Sequence, residues 1–147
     1  MSRLSTLASF LLSIPLLAGP LSLVAAAQAP KGVIADVPFE FSVNNQRLAA
    51  GPYLVLLNSS GFLLLRNIST GKSQFLMMFP ESTNTIQSQG RLIFHRYGSS
   101  HYLSQVWIPG TTEYRRCVQS RSERQTILAA KSASQAKVEV ALKSPTK

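Results

Sequence analysis

The chain has 147 residues, and removing the first 27 as an export leader leaves 120, room for one ordinary domain and not for two. Fifteen lysines and arginines against six acidic residues give a formal charge of +9, which falls only to +8 without the leader's single arginine. Short length, one long apolar stretch and a lone cysteine exclude a large catalytic barrel, a multi-span membrane protein and a disulfide-stapled miniprotein.

Residues 1–27 read as a signal peptide. Arg3 supplies a positive start, Leu4 to Ala27 carry no charge, and Ala25-Ala26-Ala27 place small side chains where signal peptidase reads them. Cleavage after Ala27 avoids Pro30 beside the scissile bond, which a cut after Ala29 would meet. The alternative is an uncleaved anchor, since the stretch is long enough to span ~30 Å of hydrocarbon. The expected location is the periplasm or the extracellular space.

Residues 28–143 then form a single β domain, with 144–147 a frayed tail. Val37, Phe39, Phe41 and Val43 alternate with polar residues, a period of two, and Pro38 marks an edge because proline cannot donate to a ladder. Asn44-Asn45 supplies turn chemistry. Tyr53–Leu57 and Phe62–Leu65 are apolar runs joined by Asn58-Ser59-Ser60-Gly61, a hairpin signal, and Gln74–Phe79 repeats the pattern until Pro80 closes it. Glu81–Gly90 is polar almost throughout and reads as a surface loop.

Arg91–Tyr97 and Tyr102–Ile108 flank the turn Gly98-Ser99-Ser100, with Trp107 the heaviest anchor. Glu113–Val118 forms a short strand. Ser120 and Glu123 have the spacing of a capping box, in which serine and glutamate reciprocally satisfy backbone amides, and predict a helix over 121–130. Val138, Val140 and Leu142 alternate with charged residues in a last strand. About eight strands and one short helix near the C-terminus predict an all-β fold, a small antiparallel barrel or a two-sheet sandwich whose own side chains fill it.

Chemistry is sparse. His95 and His101 flank one turn, and the right register would put them on one face, yet two imidazoles fall short of the three or four ligands a metal centre needs; no metal or other cofactor is expected. Cys117 has Arg115 and Arg116 beside it but no local histidine, so burial as a small hydrophobe is the expectation and a catalytic constellation is not recognisable. Asn58-Ser59-Ser60 and Asn67-Ile68-Ser69 match the N-glycosylation triplet only weakly. The densest charge is Arg115, Arg116, Arg121 and Arg124 around the helix start, a candidate anion site of guanidinium forks and helix-terminal amides. The opposing interpretation has these arginines pair with Glu113 and Glu123. The shortage of aromatics for stacking argues against nucleic acid as partner.

Five blocks taken together, Val37-Pro38-Phe39-Glu40-Phe41, Leu48-Ala49-Ala50-Gly51-Pro52-Tyr53, Phe94-His95-Arg96-Tyr97-Gly98, Tyr102-Leu103-Ser104-Gln105-Val106-Trp107 and Ser120-Arg121-Ser122-Glu123-Arg124, resemble a group of small, exported, uncharacterised bacterial proteins common in soil bacteria. Ala49 stands where that group usually carries proline. The resemblance runs from about Val33 to Leu142 and implies export and a shared small fold, with no activity to carry over. The functional expectation is a non-enzymatic β domain that binds an anionic envelope polymer, or a protein partner through a strand edge. A carrier of small apolar ligands is the alternative, and a hydrolytic enzyme a third.

Overall fold

A computed structural model describes residues 32–58, 60–130 and 135–144. The leader and the tail beyond Ser144 lie outside the described residues. Eleven strands and one helix follow in chain order: β1 Val33–Val37, β2 Phe41–Val43, β3 Gln46–Leu48, β4 Gly51–Leu57, β5 Phe62–Asn67, β6 Ser73–Met77, β7 Phe79–Ser82, β8 Arg91–Tyr97, β9 Ser100–Trp107, β10 Glu113–Arg116, α1 Arg121–Ala129 and β11 Ala136–Lys143. They make one curled sheet, a half-barrel, in the order β3-β2-β9-β8-β11-β1-β4-β5-β6, with β10 beside the far end of β9 and β7 beside β10. The all-β expectation with one helix near the C-terminus holds.

Glycine turns explain the meander. Gly61, Gly71 and Gly98 take φ of 83°, 71° and 60°, and Asn44 and Asn45 take 47° and 64°, the left-handed angles their types tolerate best. Each turn returns the chain antiparallel to its predecessor: β2 on β3, β4 on β5, β5 on β6, β8 on β9. The last strand, β11, inserts between β1 and β8 and ties the start of the domain to its middle. Pro38 stands in the break between β1 and β2, so the predicted Val37–Val43 run is two strands meeting at a corner.

The concave side is packed. Phe41 meets Tyr53 and Phe94 edge-on at 5.3 and 5.2 Å, and Phe39 meets Phe94 at 5.1 Å. Such pairs add ~0.5–1.5 kcal/mol each beyond their buried area. Leu63, Leu65, Leu76, Leu92 and Val106 fill the space around them. The Tyr53 hydroxyl donates to the Ala49 carbonyl at 2.6 Å, so its burial leaves no unpaired donor. Asn67, the first residue of one glycosylation triplet, is buried and accepts from the amides of Ser69 and Thr70, which turns it into an Asx cap of the β5–β6 hairpin.

Three features depart from the sequence expectations. Phe79–Ser82, placed partly in a surface loop, is a strand paired with β10, and Gln46–Leu48 is a further short strand. The capping box is also only half formed. Ser120 Oγ accepts from the Glu123 amide at 3.1 Å, but the Glu123 carboxylate turns inward to the sheet.

Candidate functional site

Two concavities bear on function. The first, of about 540 Å3, opens at one end of the half-barrel, where β1 begins and β4, β9 and β11 end. Val33, Val55, Leu57, Trp107, Ile108 and Leu142 line it, joined by Val106 and Pro109. The walls are almost wholly hydrocarbon because Val33, Val55, Leu57, Val106 and Leu142 are inward positions of four strands, with Trp107, Ile108 and Pro109 added where β9 ends. Gly90 keeps the neighbouring wall tight: a Cβ there would stand 2.8 Å from Pro109 Cδ and 3.1 Å from the Trp107 carbonyl. Trp107 is fixed from behind by Tyr114, stacked at 4.5 Å, and by the Arg91 guanidinium 4.9 Å from its ring centre. The expectation of a filled interior is therefore right for the middle of the barrel and fails at this end. The signal for it in the sequence is the run Trp107-Ile108-Pro109 directly before a turn, an apolar surplus with no partner run.

A second crevice, about 340 Å3, lies under α1 and is lined by His95, Ser104, Arg116, Cys117 and Glu123 among others. Here histidine, cysteine and carboxylate do share a wall. Glu123, 4% exposed, accepts from His95 Nδ1 at 3.1 Å and from the Tyr97 hydroxyl at 3.3 Å. The charge arrangement opposes a thiolate: burial, and then the Glu123 charge, push the Cys117 thiol up to about 12. Cys117 is a free thiol packed against the core. The carboxylate that would orient a catalytic histidine here disfavours the nucleophile beside it.

His95 and His101 do not meet. His95 pairs with Tyr102 and Arg96 with His101 across the β8–β9 ladder, so the two imidazoles point to opposite faces. His101 stacks on Phe39 at 4.0 Å, and burial, aided by the Arg96 charge, lowers its pKa. Among the described residues no three His, Cys, Asp or Glu side chains gather as a metal cage.

The four arginines separate into two pairs. Arg115 reaches Glu113 at 3.7 Å, and Arg116 bonds Glu81, which also receives the Tyr114 hydroxyl. Glu81 is held below its usual 4.5, first by the Tyr114 hydrogen bond and then by Arg116. Arg121 and Arg124 stand exposed on α1 with no acidic partner among the described residues. The helix start is already satisfied: the Ser122 amide donates to Asn45 Oδ1 at 3.0 Å and the Glu123 amide to Ser120. Those amides are not free for an anion. The predicted pairing of the cluster with acidic residues is met at Glu113, while Glu123 binds His95 instead. Comparison with protein-family models, curated proteins and solved structures gives no match.

Proposed function

We propose that this protein is an exported, non-catalytic binding domain that carries a small apolar ligand in the mouth of its half-barrel. The observation that carries the proposal is the cavity itself: about 540 Å3, open to solvent at one end and lined mainly by aliphatic residues, with Trp107 at its margin. This volume lies inside the ~300–1,000 Å3 range of ordinary small-molecule sites. An apolar guest would gain ~25 cal/mol for each Å2 of hydrocarbon it removes from water. The raised Cys117 pKa supports a role without chemistry. Export belongs to the same proposal and rests on the leader Met1–Ala27, as does membership in the group of exported proteins whose sequence blocks this chain shares.

Trp107 is the single tryptophan and stands at the cavity margin, so its fluorescence reports occupancy. Titration with n-decanol should give a saturable blue shift in the purified protein, lost in Leu57→Glu. No shift, or a shift that Leu57→Glu leaves unchanged, rejects the carrier.

A second role is favoured by the free guanidiniums of Arg121 and Arg124 on α1, with Leu128 exposed on the same helix. An anionic envelope polymer fits that surface. Its binding should weaken as salt rises and vanish in the double variant Arg121→Ala with Arg124→Ala; retention at high salt in that variant removes the proposal.

A further inference from the structure

The outward face of β4–β6 is largely hydrocarbon and uncovered among the described residues, with Arg66 opposite Ser73 its one charge. Leu56 pairs with Leu64 and Leu64 with Phe75, one apolar row across three strands, and Phe62 opposite Met77 makes a second. Phe75 is 67% exposed, Met77 62% and Phe62 41%. These three alone leave on the order of 300–400 Å2 of apolar surface in water, within the range at which a patch on a monomer tends to be functional.

This face ends on an unprotected edge. β6 pairs with β5 on one side and with no described strand on the other. The Asn67 amide bonds the Lys72 carbonyl and the Met78 amide bonds the Gly61 carbonyl. Alternation of the ladder between those two bonds aims the backbone groups of Ser73, Phe75 and Met77 at the open side. Gln74 Nε2 donates to the Phe75 carbonyl at 3.0 Å, a local substitute for an absent neighbour. Other edges are guarded: β7 carries Pro80 and the bonded Glu81, and β3 is three residues long with Arg47 at its centre. Ser73-Gln74-Phe75-Leu76-Met77 has neither proline nor charge.

We infer that β6 is a homodimer edge, joining a second copy of this chain antiparallel about a two-fold axis through Phe75. In that register Ser73 faces the partner's Met77 and Phe75 faces its own copy, so every outward side chain stays outward. The apolar row then runs unbroken through both sheets. Charge selects the direction. Lys72 is the cation immediately before this strand, and antiparallel pairing sets the two copies of Lys72 ~20 Å apart, beyond a Debye length of ~8 Å, whereas parallel pairing would stack them ~5 Å apart. With the edge backbone and the half-buried Leu56 and Leu64 added, the pair hides on the order of 1,000 Å2, the threshold of a specific though reversible interface.

Sedimentation velocity across a concentration series should show a monomer–dimer equilibrium. Phe75→Lys, which sets like charges face to face, should abolish the dimer and leave the circular-dichroism spectrum unchanged. In a Cys117→Ser background, Phe75→Cys should form an interchain disulfide on mild oxidation, since paired Cα atoms ~5.5 Å apart suit one. A wild-type chain that stays monomeric throughout overturns the inference, as does a dimer that survives Phe75→Lys or one in which Phe75→Cys yields no interchain disulfide. A monomer that instead floats with phosphatidylcholine vesicles through Phe75 overturns it in favour of a lipid surface.

Discussion

The two outer sides of the half-barrel are closed by opposite means. Over β8 and β9 lies α1, and the contacts that seat it are polar: Glu123 to His95 and Tyr97, Thr126 to the Tyr102 hydroxyl at 2.7 Å, the Ser122 amide to Asn45. Glu123 is the one fully buried residue of that helix, while Leu128 is 75% exposed. Nearby, β7 is stitched to β10 through Glu81. Across the molecule, the outward rows of β4–β6 have no cover among the described residues and one charge, Arg66, at the end opposite Phe62 and Met77. Carboxylates hold one side, and the other is left largely as hydrocarbon. A surface secured by directional bonds is specified to a single partner inside the chain, whereas a bare apolar one is available to something outside it.

The sharpest way to break this contrast is Glu123→Ala. The change leaves His95 Nδ1 and the Tyr97 hydroxyl without their acceptor, and disruption of a buried hydrogen-bonded pair costs ~3–5 kcal/mol. Denaturant unfolding should show a loss of that order, with amide exchange fastest across α1. Glu123→Gln retains an acceptor oxygen and should lose less. A drop in stability without faster exchange in α1 would mean that the helix is held by other contacts.

Acid tests the same side more gently. Glu81 titrates below its usual 4.5 in the folded chain, so its contribution is whole above that value and is lost as pH falls through the lower folded value. Amides of β7 and β10 should therefore lose protection in acid relative to those of β5 and β6, after correction for intrinsic exchange rates. Glu81→Gln should remove the pH dependence of that difference.

Much of the frame was legible because turns and alternation are local. Gly61, Gly71 and Gly98 sit where a hairpin needs left-handed backbone, and the Val138–Leu142 alternation falls inside β11. What escaped depends on contacts distant in sequence. Phe79–Ser82 has a loop's composition and becomes a strand because Tyr114 and Arg116, more than thirty residues on, grip Glu81. For the histidines one residue decides. A three-residue turn at Gly98-Ser99-Ser100 would set His95 and His101 on one face, but Tyr97 pairs with Ser100, the turn has two residues, and they part. The arginine cluster was visible as charge, but neither the Asn45 side chain that occupies the helix amides nor the diversion of Glu123 to His95 has a local signature. The mouth cavity was harder still, since it is made where the ends of four strands, distant in sequence, come together.

The smallest effect is expected on the bare side, and its smallness is the point. Phe75→Ser removes a ring that is two-thirds exposed and touches only the outward row, so in a dilute, monomeric sample stability should change by less than ~1 kcal/mol. Such a result would set a large exposed aromatic that contributes little to the folded monomer against a buried carboxylate that contributes several times more. A side chain of that size, kept in water without benefit to its own fold, is what the proposed dimer edge requires. If Phe75→Ser instead destabilised the monomer as much as Glu123→Ala does, the outward row would be part of the core, and the distinction between a side closed within the chain and a side left for a partner would disappear.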